Sequence, residues 1–196
     1  MGDGIKLRVH HVLFSSRANG PGKRAVVWLQ GCSLRCPCCC NPALQDFAGG
    51  HEMTSRALAE QLEANAKDIE GITISGGEPT EQIGALIYLL STIKEKTSLS
   101  VLLFSGKTFS QIQAMERGSE LLCLTDIIVD GPYNESLANP VGVWPSSSNQ
   151  NIIFLTSRYS KDDVKEIPCS DIFIGSTGDI IKTGLYGWTR GEEFRR

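Results

Sequence analysis

Five of the seven cysteines of this chain stand in one stretch of twelve residues, Gly31-Cys32-Ser33-Leu34-Arg35-Cys36-Pro37-Cys38-Cys39-Cys40-Asn41-Pro42. The stretch directly follows Ala25-Val26-Val27-Trp28-Leu29-Gln30, an apolar run that predicts a buried strand. In parallel α/β sheets the loops at the carboxyl ends of the strands converge over a rigid base, and ligands bind there. The sequence therefore predicts that the first parallel strand carries thiols into a cofactor-binding loop.

Further apolar runs, each followed by a glycine-containing loop, predict three more strands of the same sheet. They lie at residues 70–75, 99–104 and 126–129. Helical patterns separate these strands. One helix is capped by Thr54 or Ser55, a second is capped by Thr80 and has an apolar face from Ile83 to Ile93, and a weaker one begins at Thr108. Repeated strand–helix units predict a parallel α/β sheet with right-handed crossovers.

The flanking segments predict additional elements. Residues 9–14 are β-prone and predict a short edge strand, whereas residues 134–151 lack periodicity and predict a long surface loop. A strand at 151–155, a short charged helix at 160–167 and a strand pair around the turn at 175–178 follow. Residues 191–196 are predicted to form a solvated tail.

Composition predicts one soluble domain of 196 residues. The formal net charge of -3 gives no electrostatic argument for a nucleic-acid partner. The first residues lack the apolar core of a signal peptide, and no run is long enough to cross a bilayer, so we expect a cytoplasmic protein without membrane contact. Thiols stay reduced in that compartment, and a dense cysteine loop there favours metal binding over disulfides.

The cysteine loop can hold metal in more than one register. Cys32, Cys36 and Cys39 follow the spacing C-x3-C-x2-C, which places three thiolates on one short loop. Structural zinc prefers four protein ligands, usually in two separated pairs, and the chain has no second pair. Because Cys38 and Cys40 flank Cys39, either could replace it as a ligand. The two isolated cysteines outside the loop, Cys123 and Cys169, are predicted to be packing residues.

The loop from Gly31 to Pro42 resembles the cluster loop of radical S-adenosylmethionine (SAM) enzymes, in which a C-x3-C-x2-C triad holds a 4Fe-4S cluster. Ser75-Gly76-Gly77-Glu78-Pro79 resembles the GGEP motif of that superfamily. Four further segments resemble the activating proteins of anaerobic ribonucleoside-triphosphate reductase: Asn19-Gly20-Pro21-Gly22, Ser105-Gly106, Val129-Asp130-Gly131-Pro132 and Ser147-Ser148-Asn149-Gln150. The chain departs from this pattern at Cys38, where glycine is usual, at Cys40, where an aromatic residue or histidine is usual, and at Ser146.

The resemblance implies a partial, incomplete TIM-type β/α barrel with parallel strands in one domain over residues 1–196. Residues 152–196 would be a C-terminal extension packed on that domain. Cys32, Cys36 and Cys39 would hold the cluster, and the open iron would bind SAM. Reductive cleavage of SAM would give a 5'-deoxyadenosyl radical that installs a glycyl radical on a partner such as anaerobic ribonucleotide reductase. Flavodoxin or a similar protein would donate the electron.

The resemblance also implies contacts to SAM from seven residues, which are Cys38, Cys40, Gly76, Gly77, Glu78, Ser105 and Asp130. Glycines at the turn would let the backbone approach the ligand closely. Glu78 could bind the ammonium group of SAM, lock the turn, or be an ordinary exposed acid at a helix start. For Ser105 and Asp130, simple turn formation is the alternative to a contact with SAM.

Two other functions stay open at this point. A radical SAM enzyme could modify a peptide or small molecule, with the segment after Asn151 shaping its pocket. A non-catalytic iron-sulfur or zinc module is the other alternative, although an electron carrier needs neither an open iron nor a GGEP turn. The adjacent His10 and His11 would point to opposite faces of a strand, and we do not expect either to bind metal.

Overall fold

The computed structural model describes residues 5–140, 142–174, 180–184 and 189–190. Its main sheet has seven strands: β1 (Lys6–Ser16), β2 (Arg24–Leu29), β3 (His51–Thr54), β4 (Gly71–Gly76), β5 (Ser100–Phe104), β6 (Ile127–Asp130) and β7 (Asn151–Phe154). Their spatial order is β3-β1-β2-β4-β5-β6-β7. The central strands β2, β4, β5 and β6 are parallel, and the flanking strands are antiparallel to their neighbours.

The helices in the described part of the chain are α1 (Ser55–Ala64), α2 (Ile83–Lys96), α3 (Phe109–Ala114), α4 (Gly118–Cys123) and α5 (Lys161–Lys165). Short 3-10 turns occur at Pro42–Gln45, Pro79–Gln82 and Glu135–Leu137. None of these helices combines the length and the apolar character that a bilayer span needs.

The core lies between the sheet and the helices α1, α2, α3 and α4. All six residues of β2 are buried, as the apolar run predicts. The apolar face of α2 buries Leu86, Ile87, Leu90 and Ile93 in the same cluster as residues of β4 and β5. Burying one such side chain contributes about 1.5–3 kcal/mol, so this helix fixes the sheet from one side. The carboxyl ends of the parallel strands thereby receive a rigid base.

The strand and helix predictions are largely confirmed, with three corrections. β1 is longer than predicted and is not an edge strand throughout, because Lys6–Val9 pairs with β3 on its outer side. Thr80 does not cap α2. Glu78 instead caps the 3-10 turn before it by accepting a hydrogen bond from the Thr80 amide. Cys123 and Cys169 are exposed rather than packed: Cys123 is the last residue of α4, and Cys169 lies in the connection after α5.

The sheet is parallel only at its centre. The described strands form a mixed α/β sheet in linear order, with antiparallel strands on both sides of the four parallel ones. The parallel pairing predicted from the strand–helix repeats is therefore confirmed for β2, β4, β5 and β6, and the antiparallel strands β1, β3 and β7 extend the sheet on both sides.

The chain after β7 forms a second, three-stranded antiparallel sheet of β8 (Ser170–Ile174), β9 (Ile180–Gly184) and β10 (Thr189–Arg190). The Asp171 carboxylate accepts hydrogen bonds from Ser16 Oγ at 2.6 Å and from the Ala18 amide at 3.0 Å. Asn19 Nδ2 donates to Thr183 Oγ1 at 2.9 Å. These contacts attach the second sheet near the start of β2, opposite to the cysteine loop. The predicted turn at 175–178 and the tail at 191–196 lie outside the described residues.

Candidate functional site

A cleft lies at the carboxyl ends of β2, β4, β5 and β6. It is lined by most of the predicted site residues, namely Cys32, Cys36, Cys39, Cys40, Gly76, Gly77, Glu78 and Ser105. The cysteine loop forms one wall and the GGEP turn forms the floor. Cys38 and Asp130 are predicted site residues that do not line this cleft.

Hydrogen bonds join the two ends of the cysteine loop. The Gly31 amide donates to Leu44 O at 2.8 Å, and the Cys32 amide donates to Gln45 O at 3.3 Å. The Gln30 side-chain amide donates to Ala43 O and Asp46 O at 2.9 and 2.6 Å. The loop therefore returns to its own starting point. This closure keeps its thiols at the end of β2.

Two residues of the loop adopt left-handed backbone conformations. Arg35 has φ of 49° and Cys38 has φ of 56°. An L-residue in this region costs about 1–2 kcal/mol, which glycine does not incur. The conformation explains physically why glycine suits position 38. This chain carries cysteine there despite that cost.

The three thiols of the C-x3-C-x2-C triad share the cleft. Cys32, Cys36 and Cys39 are all half-buried. Burial raises the pKa of the Cys36 thiol, and the neighbouring Cys32 and Cys39 add to this effect. No three His, Cys, Asp or Glu side chains of the described segments converge as ligands of a single ion.

This donor set fits an iron-sulfur cluster better than a single ion. Thiolates are the usual ligands of such clusters, and a cubane presents a different iron to each thiolate. Its ligands therefore surround the cluster and need not meet at one point. Three half-buried sulfurs on one wall of a cleft satisfy that requirement.

The GGEP turn is packed directly against the cysteine loop. The Gly77 amide donates to Leu29 O at 2.8 Å, and the Glu78 amide donates to Gly31 O at 2.9 Å. A Cβ on Gly77 would lie 2.2 Å from Gly31 O, and one on Gly76, which has φ of 115°, would lie 2.3 Å from Leu29 O. The two glycines thus let the two loops approach each other. Their predicted contact with a ligand stays a prediction.

Glu78 locks this turn. Its side chain is 1% exposed, so the interpretation as an exposed acid is wrong. Oε1 accepts hydrogen bonds from the Thr80 amide, Thr80 Oγ1 and Ser105 Oγ at 3.0, 2.7 and 2.9 Å. Oε2 accepts one from the Gly106 amide at 2.9 Å. Glu78 therefore joins the ends of β4 and β5 at the floor of the cleft.

Cys38, Cys40 and Asp130, which were predicted to contact SAM, lie in three different environments. Cys38 is exposed, and its thiol donates to Glu135 Oε2 at 2.9 Å, a bond that raises the pKa of Cys38. Cys40 lines both the cleft and an adjoining groove. Asp130 is buried away from the cleft, where it accepts hydrogen bonds from the Phe109 amide and from Asn151 Nδ2. Its carboxylate thus holds the start of α3 and β7, because it ends a buried strand beside both.

The cleft also contains residues that the sequence analysis missed. These are Leu34, Asn41, Gln45, Phe104, Tyr133 and Gln150. Gln150 belongs to the quoted Ser147–Gln150 segment, and its Nε2 donates to Gly131 O at 3.0 Å. Asn149 Nδ2 donates to Pro132 O at 2.7 Å. The two resembling segments at 129–132 and 147–150 thus form one hydrogen-bonded unit at the cleft.

Comparison with known proteins agrees with this geometry. Residues 18–153 match the model of the 4Fe-4S single cluster domain. An anaerobic ribonucleoside-triphosphate reductase-activating protein of Vibrio cholerae is 29% identical over 141 residues, covering 68% of this chain and 89% of that protein. A pyruvate formate-lyase-activating enzyme of Streptococcus mutans is 32% identical over 178 residues, covering 86% and 67%. A second such enzyme, from Clostridium pasteurianum, is 32% identical over 121 residues, covering 60% of this chain and 51% of that protein.

A thiol-lined cleft over a parallel α/β sheet and this match together define an iron-sulfur protein, and the chain belongs to the 4Fe-4S single cluster domain family. Its relatives place it more narrowly, in the glycyl-radical activase branch of the radical SAM enzymes. The family resemblance seen in the sequence is therefore confirmed.

Proposed function

We propose that this chain cleaves SAM reductively and installs a glycyl radical on a partner enzyme of the anaerobic ribonucleotide reductase type. One observation carries the proposal. The C-x3-C-x2-C thiols and the GGEP turn line a single cleft, and direct backbone hydrogen bonds join the two motifs. An iron-sulfur protein that only passes electrons would not need such a cleft beside its thiols.

Cys32, Cys36 and Cys39 would hold a 4Fe-4S cluster and leave one iron without a protein ligand. When bound, the reduced cluster would supply one electron, and SAM would be cleaved to methionine and a 5'-deoxyadenosyl radical. The side chains of the cleft would position the bound SAM. Glu78 fixes the cleft floor, and Ser105, which is only 5% exposed, donates a hydrogen bond to Glu78. A rigid floor orients the bound molecule and limits access of water.

The same proposal extends to the barrel, the domain organisation and the electron donor. The four parallel strands would be part of an incomplete β/α barrel, and residues 1–196 would form one domain with the extension after Asn151 packed on it. Flavodoxin or a similar donor would deliver the electron in the cytoplasm. An incomplete barrel leaves its rim open, which suits a substrate that is a loop of another protein.

Anaerobic reconstitution with the candidate glycyl-radical partner, SAM and reductant tests the function. We expect 5'-deoxyadenosine together with a glycine-centred signal in electron paramagnetic resonance. A modified peptide or small molecule without that signal would favour a different radical SAM activity. A protein that carries metal but leaves SAM uncut would contradict both.

A further inference from the structure

Among the strands that the structure describes, none pairs with the outer edge of β7, the last strand of the main sheet. The Leu155 amide donates to Asp126 O at 2.8 Å, so the polar backbone groups of Leu155 and Ile153 face β6. By the alternation of an antiparallel ladder, the N–H and C=O groups of Ile152 and Phe154 face away from β6. None of the described residues hydrogen-bonds to these outward groups.

A groove lies beside β7. We call it the β7 groove, and it is lined by Gly142, Val143, Trp144, Pro145, Gln150, Asn151, Ile152, Phe154, Lys161, Val164 and Lys165. Its volume is about 560 Å³. That size lies within the range of about 300–1,000 Å³ that is typical of ligand sites. Val143 is 45% exposed, so apolar surface is available in it.

The β7 groove leads to the thiol cleft. β7 begins at Asn151, which pairs with Asp130 at the carboxyl end of β6. Gln150, the residue before it, lines both the β7 groove and the cleft. A chain segment that followed β7 toward Asn151 would therefore arrive at the cleft rim.

We propose that an extended segment of the glycyl-radical partner adds to the sheet along β7 and so brings the adjoining target loop to the cleft. This inference rests on the proposed function. Strand addition uses the free backbone groups of Ile152 and Phe154 for affinity and the neighbouring pockets for side-chain preference. Apolar side chains would contact Val143 and Val164. The exposed Lys161 favours a segment with an acidic residue, whereas Lys165 is already paired with Asp162 at 2.7 Å.

Hydrogen exchange at single amides tests the proposal on the full chain. In the free protein the amides of Ile152 and Phe154 should exchange fast, and that of Ile153 slowly. Adding the purified partner at ten times its Kd should slow Ile152 and Phe154 about tenfold and leave Ile153 unchanged. Slow exchange of both outward amides before addition, or no slowing afterwards, would overturn the inference.

Variants separate this inference from the function itself. Ile152→Pro removes one outward N–H and retains the inward groups of Ile153, a change that an edge strand accommodates. It should lower the rate of glycyl-radical formation about tenfold at limiting partner concentration, whereas SAM cleavage without the partner stays unchanged. If the parent makes no glycyl radical, the proposed function fails; if Ile152→Pro matches the parent, only the strand addition fails.

A charge variant covers the case in which Ile152→Pro does not fold. Lys161→Glu, on the wall of the β7 groove, should weaken binding of the partner several-fold. Lys67→Glu is the matched control, because Lys67 is equally exposed but lies outside the groove. Equal effects of the two substitutions would contradict the predicted preference for an acidic segment.

Discussion

Replacement of Gly77 by alanine tests the packing that joins the two motifs of the cleft. The new Cβ would lie 2.2 Å from Gly31 O and 2.9 Å from Leu44 O, and both contacts are with backbone atoms. Neither carbonyl can rotate away as a flexible side chain would. The cysteine loop must therefore move away from β4.

The cost can be worked out from these contacts. Overpacking of this kind typically costs about 1–3 kcal/mol. The displacement also stretches two backbone hydrogen bonds, Gly77 N to Leu29 O and Glu78 N to Gly31 O, each worth about 0.5–1.5 kcal/mol. A small gain of about 0.4–1 kcal/mol comes from the stiffer unfolded chain. We expect Gly77→Ala to lower the free energy of unfolding by about 1–5 kcal/mol.

Urea unfolding of the parent and variant measures this difference, and iron content after anaerobic reconstitution reports the loop. Gly84→Ala is the matched control. In α2 its Cβ would meet only Arg117 Nη1 at an ordinary 3.6 Å, so the substitution should stabilise the helix by about 0.5–1 kcal/mol. If Gly77→Ala proved as stable as the parent and held full iron, the steric reasoning would be refuted.

Three further predictions concern the cluster register, the floor of the cleft and the start of β6. Cys39→Ala should lose the cluster, whereas Cys38→Gly should keep it and be at least as stable, since glycine relieves the positive φ at position 38. Glu78→Gln should destabilise the fold by about 1–3 kcal/mol in urea unfolding, because an amide group would face hydrogen-bond donors that now meet a carboxylate. Burial alone would raise the pKa of Asp126, but hydrogen bonds from Lys94 and the Val101 amide lower it overall. The stability advantage of the parent over Asp126→Asn should therefore be full at neutral pH and should shrink as the pH falls below about 4, through the lowered folded-state pKa.

Each of these has a result that counts against it. A cluster retained in Cys39→Ala and lost in Cys38→Gly would show that Cys38 is the third ligand. Glu78→Gln with parental stability would mean that the four hydrogen bonds do not hold the turn. A stability difference for Asp126→Asn that did not change between pH 7 and pH 3 would exclude the ionised carboxylate as its source.

Much of the fold could be predicted because its signals are local. The apolar run before the cysteine loop, the periodic face of α2 and the Thr108 cap of α3 each depend on neighbouring residues, and all three are confirmed. The pairing of Lys6–Val9 with β3 was missed, because it joins segments some 45 residues apart and His51–Thr54 has little apolar character.

Some features of the candidate site could likewise be predicted from the sequence, and others could not. Motif spacing predicted that Cys32, Cys36 and Cys39 lie on one short loop, and all three line the cleft. Spacing could not show that Asp130 faces α3 and β7, because the direction of a side chain at a strand end depends on its neighbours in space. The position of Gln150 in the cleft could not be predicted either. It depends on the hydrogen bond to Gly131, and a long loop without periodicity separates the two residues in sequence.

The amino-acid sequence by itself determined the chemistry of this protein: three thiols at fixed spacing, a glycine-rich turn after the next strand, and the parallel order that brings both to one edge. Those features depend on residue type and short-range spacing, and both can be read directly from the sequence. Tertiary structure alone decided that Gly76 and Gly77 leave room for the cysteine loop and that the buried Glu78 holds the turn. It also decided that no described strand pairs with the outer edge of β7 beside the cleft. Each of these follows from which backbones meet, and residues far apart in sequence meet only when the whole core has packed.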